Sequence, residues 1–71
     1  MKNVMNVGDY SLNVLYEGTS SSDITYRVAV LPNVDDTAFL FDNNNASGKW
    51  YLLNIGKTDD MMNAAKRFSA R

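Results

Sequence analysis

The sequence predicts an α+β fold: a four-stranded, mainly antiparallel meander followed by one C-terminal helix packed on one face (ββββα). Three observations predict it. Residues 10–17 and 24–31 alternate with the period of two that marks half-buried strands. Two shorter apolar runs, 37–41 and 49–55, flank a loop rich in Asn and Gly. After residue 57 the apolar spacing changes to that of a helix.

In the first strand Tyr10, Leu12, Val14 and Tyr16 point one way and Ser11, Asn13, Leu15 and Glu17 the other. Val4, Met5 and Val7 extend it backwards, with Gly8 as a bulge or bend. Residues 18–23, GTSSSD, read as a flexible turn of small residues. The second strand sets Ile24, Tyr26, Val28 and Val30 against Thr25, Arg27, Ala29 and Leu31, and Pro32 ends it because it cannot donate to a ladder. TAFLF (37–41) is the third strand, DNNNASG (42–48) a hairpin loop, and KWYLLNI (49–55) the fourth strand. Met61, Ala64, Ala65 and Phe68 then share one face of a helix running from about Asp59 to Ala70. Thr58 is placed as its N-cap. Asp59 and Asp60 suit the positive end of its dipole, and Lys66, Arg67 and Arg71 the negative end.

The 71 residues make one domain, 1–71, with no repeat or internal boundary. The chain has no Cys and no His, which removes disulfides and the usual zinc ligands. It also removes the commonest general base and the best nucleophile, so the expectation is a non-enzymatic protein without a cofactor. Ser20–Ser22 beside Asp23 offer no rigid frame for catalysis. Asp35, Asp36 and Asp42 could meet across the third strand around a weak cation, but acids at such positions are more often solvated turn residues. With no apolar stretch long enough for a signal peptide or a membrane span, a soluble cytoplasmic protein is expected, with no membrane partner.

Gly56-Lys57-Thr58 matches the end of a phosphate-binding loop. That loop needs a glycine at position 51, where Tyr51 stands, and Asp59 and Asp60 would repel phosphate. The stretch is read as a strand-to-helix connection, and no nucleotide is expected. The Asn-rich loop, aligned as a calcium loop from Asn43, puts Asn54 where a bidentate Glu is required. Net charge is −1, without the basic excess that neutralises phosphates. Strands followed by a helix with Ala64-Ala65 after Gly56-Lys57-Thr58 resemble the double-stranded-RNA-binding domain in outline. That family, however, places lysines where this chain has Asp59 and Asp60.

Most informative is an apolar surplus. One short helix covers about two strands of one face, yet both faces carry large apolar side chains. The Tyr10, Ile24 and Trp50 rows suit the core, which leaves Leu15, Leu31, Phe39, Phe41, Tyr51, Leu53 and Ile55 as a second interface. The expected function is therefore protein–protein interaction, as a regulator, inhibitor or accessory subunit, with self-association as one form of it. The alternative is a nucleic-acid-binding module using Lys57, Lys66, Arg67 and Arg71. A weaker alternative is a small-ligand binder lined by Tyr and Trp.

Overall fold

A computed structural model describes residues 4–34, 36–43 and 49–71. The class is the α+β one expected, with one strand more. Strands β1 (Val4–Val7), β2 (Tyr10–Thr19), β3 (Thr25–Val30), β4 (Thr37–Asp42) and β5 (Tyr51–Lys57) pair antiparallel in sequence order, and helix α1 (Thr58–Ser69) follows.

The extra strand arises because Gly8 turns the chain rather than bending it. Val7 pairs with Tyr10, which leaves Gly8 and Asp9 as a two-residue loop. Gly8 has φ +60°, as the first central residue of a type II′ hairpin turn requires. At the end of β3, the Val34 N–H donates to the Leu31 carbonyl at 3.1 Å. With Pro32 second and Asn33 third at φ 68°, this is a type II turn.

Two bulges decide which residues face the helix. Val14 pairs with Ala29 and Tyr16 with Val28, so Leu15 is an additional residue in β2. Leu40 pairs with Asn54 and Phe41 with Leu52, so Leu53 is additional in β5. Each bulge shifts the alternation by one, which separates Leu12 and Val14 from Tyr16. On the helix side Val28, Val30, Ala38, Leu40, Met61 and Ala65 are buried together, with Tyr16, Tyr26, Met62, Ala64 and Phe68 packed around them. The predicted helix stripe and Tyr26, Val28 and Val30 of the second predicted strand are thus in this core, whereas Tyr10 and Trp50 belong to the opposite side.

The helix begins one residue earlier than expected. Lys57 occupies the N-cap position and Thr58 the first turn, with the Thr58 N–H donating to the Asp36 carbonyl at 3.2 Å. Its other end rests on β2. The Tyr16 and Ser69 hydroxyls share a hydrogen bond of 2.8 Å, directly over Gly18, where a Cβ would lie 2.9 Å from Ser69 Cβ.

The 18–23 stretch, expected to be a floppy turn, is knit to this end. The Ser21 N–H and hydroxyl both donate to the Arg71 carbonyl, at 2.8 and 2.7 Å. Ser20, buried, accepts at Oγ from the backbone N–H groups of Ser22 and Ile24 at 3.3 and 3.4 Å.

Replacing Gly18 by Ala should therefore push the helix end off the sheet and cost about 1–3 kcal/mol. Chemical denaturation followed by circular dichroism measures this. A variant as stable as the parent would mean that α1 is not seated on β2.

Candidate functional site

The face opposite α1 has no covering element among the described residues. Register places Met5, Val7, Tyr10, Leu12 and Val14 on it from β1 and β2, Arg27 and Ala29 from β3, Phe39 and Phe41 from β4, and Leu52 and Ile55 from β5. Its floor is well packed: Met5, Leu12, Ala29 and Phe41 are buried, with Val14, Leu31, Phe39 and Trp50 packed against them. The Phe39 and Phe41 rings lie 6.4 Å apart.

Above that floor a groove of about 260 Å³ runs between Val7, Tyr10, Leu12, Leu31, Phe39, Phe41 and Leu52. Its walls stand out into solvent: Tyr10 is 66% exposed, Leu52 50% and Val7 38%; Ile55, on the same face of β5 outside the groove, is 50% exposed. Charged groups sit at the ends. Arg27 Nε donates to Glu17 Oε1 at 2.6 Å and its guanidinium lies 4.2 Å above the Trp50 ring. Lys57, paired with Thr37, is two positions beyond Ile55 at the other end. An apolar centre with a polar rim is the anatomy of a protein interface.

Of the residues expected at a second interface, Leu31, Phe39, Phe41 and Ile55 lie on this face. Tyr51 does not, and the pairing assigns Leu15 and Leu53 to neither face. Leu15 and Leu53 are the bulge residues, and Tyr51 pairs with Asp42 in the row that continues from Ala38 and Leu40 beyond the edge of the helix. All three are exposed. Met5, Val7, Tyr10, Leu12 and Leu52 are on the face without having been expected there. The Gly8-Asp9 dipeptide between two apolar alternations was the signal for the β1–β2 residues. Leu52 depends on the bulge at Leu53, for which the sequence carries no mark.

The other candidates are dispersed. Lys57 precedes the helix, whereas Lys66 and Arg67 occupy its last turn and Arg71 lies beyond it. Eight residues of helix, 58–65, lie between Lys57 and Lys66, a rise of about 13 Å. Arg71 stands over the Phe68 ring at 5.5 Å.

Asp36 and Asp42 flank opposite ends of β4, too far apart to share a cation. Asp35 and most of the Asn-rich loop, with its calcium-like alignment, lie outside the described residues. A second hollow, about 680 Å³, lies between Asp36, Thr37, Lys57, Thr58, Asp59 and Asp60. Among the described residues no three acidic side chains converge as metal ligands. Nor is any helix there long and apolar enough to cross a membrane.

No family model matches the chain, and neither the curated proteins nor the solved structures include a significant match.

The Gly56-Lys57-Thr58 segment runs from the end of β5 into α1. Apart from Leu53, residues 51–57 are paired with β4. A Cβ on Gly56 would come 3.1 Å from the Met61 terminal methyl, so glycine makes room for the helix side chain. Titration calorimetry with ATP and magnesium should show no binding for the parent or for Lys57→Ala. Micromolar binding lost in that variant would overturn this assignment.

Proposed function

We propose that this protein acts by binding another protein through its open sheet face, without chemistry of its own. The observation that carries the reading is the exposed apolar centre of that face, built from Tyr10, Leu52 and Ile55 around the groove. Monomers rarely expose a contiguous apolar patch of more than several hundred Å², and this one is continuous across β1, β2, β4 and β5. The groove lining favours a protein surface over a small ligand. Ligand pockets carry a few placed polar groups that fix orientation, and here every lining side chain is apolar except at the Tyr10 hydroxyl. The class of protein this describes is a small regulator, inhibitor or accessory subunit.

Leu52→Glu places a charge on the wall of the groove, where covering it is costly, while its half-exposed position spares the fold. Tyr51→Glu, one residue away and on the opposite side of the strand, is the control. In affinity capture from native lysate, Leu52→Glu should lose at least tenfold of the recovered partner, about 1.4 kcal/mol, and Tyr51→Glu should retain it. Equal recovery by both variants would contradict the reading.

A further inference from the structure

We infer that the partner segment seated on the open face carries an aspartate or glutamate side chain, at one end of an apolar stretch, that pairs with Arg27. The inference rests on that face being a protein interface and adds the chemistry of what it takes.

The position of Arg27 is the first observation. It stands on the open face, with Phe41 and then Leu52 as its successive cross-strand neighbours. Both line the groove, and Leu52 is one of its exposed walls. At strand spacings of ~4.8 Å, the backbones of Arg27 and Leu52 lie on the order of 10 Å apart. A segment that covers Leu52 therefore comes within reach of the guanidinium.

The guanidinium is already held in place. Its centre lies 4.2 Å from that of the Trp50 ring, and Trp50 is packed against the buried floor of the face. Glu17 accepts from Nε at 2.6 Å. Ring and carboxylate together fix the plane of the group without occupying its Nη end.

What is left over decides the partner. A guanidinium has five N–H donors, and among the described residues the bond from Nε to Glu17 is the one that the Arg27 side chain makes. The free chain meets the other donors with water, since the Arg27 side chain is 28% exposed. A partner that covers the face removes that water, and a buried donor left unmet costs about 1–3 kcal/mol, more for a charged group. The partner must bring acceptors to the Nη end. A carboxylate fits it best, because its two oxygens match two parallel N–H groups.

Other occupants fit less well. A lysine or arginine would meet Arg27 as a like charge, and a wholly apolar surface would strand its donors. A chain terminus is captured by nests of free backbone N–H groups, which the face of a paired sheet does not offer. The carboxylate is therefore a side chain. From Leu52 and Phe41 the groove leads to Val7 and Tyr10 at the far end of the strands, which puts the apolar stretch on one side of the acid.

Selection of short peptides from a displayed random library on the immobilised chain tests this. Peptides enriched on the parent should carry Asp or Glu at one end of an apolar run. Selection on Arg27→Gln, folded by circular dichroism, should keep the apolar run without the acid. In a selected peptide, replacing the acid by its amide should weaken binding to the parent by about tenfold or more and leave binding to Arg27→Gln nearly unchanged. That peptide change on the parent needs no variant of the protein. An amide peptide that binds the parent as well as the acid one, or that loses as much on Arg27→Gln, overturns the role of Arg27. If Leu52→Glu still abolishes binding in that case, the face remains an interface and only the acidic partner fails. Peptides that bind Leu52→Glu as tightly as the parent, or a library from which nothing is enriched, overturn the face as well.

Discussion

The close approach of α1 to the middle of the sheet depends on small residues at the points of contact. Ala65 on the helix and Ala38 on β4 are fully buried in the same cluster. Gly56 leaves room for Met61, and Gly18 for Ser69. The helix packs over β2 to β5, with Met61 buried in that cluster and Phe68 packed against it. The C-terminal clamp on Ser21 and the Tyr16–Ser69 hydrogen bond hold it there. A short helix seated so deeply covers the centre of one face and little else. Val4 on β1 and Tyr51 and Leu53 on β5 stay in solvent at the flanks.

The same economy leaves the other face bare. A chain of this size buries only about 60% of what it exposes when unfolded. Here the second layer that would complete a sandwich is missing among the described residues, while the residues for it are present. The floor of Met5, Leu12, Ala29 and Phe41 is as buried as the helix-side core, because Leu31, Phe39 and Trp50 lean over it. The groove and its walls are what remains. Filling them with another apolar face would bury side chains worth about 1.5–3 kcal/mol each when fully covered.

Much of this was legible in the residues. Alternation identified four strands, and the 61-64-65-68 stripe placed the helix and its buried face. The surplus of apolar residues predicted a second surface, and Leu31, Phe39, Phe41 and Ile55 were assigned to it from spacing alone. The misassignments share one cause. Alternation predicts the two sides of a strand only while the register is unbroken, and β2 and β5 each carry one additional residue. Leu15 and Leu53 look like any other strand residues, because a bulge is set by how two strands pair and leaves no trace in either one. Tyr10 and Trp50, read forward and backward from those points, therefore landed on the wrong face. The missed first strand differs: Gly8-Asp9 was visible, and the short four-residue run before it was taken as a continuation of β2.

The most direct test of the account is the solvent exposure of three methyl-bearing side chains in the chain alone and in complex with the protein that it captures. Relaxation by a soluble paramagnetic probe reports it residue by residue on the unaltered chain. The account predicts that Leu52 and Ile55, half exposed in the single chain, become protected in the complex, while Val4, on the helix side of β1, stays as accessible as before. Equal accessibility of all three in both states would contradict it.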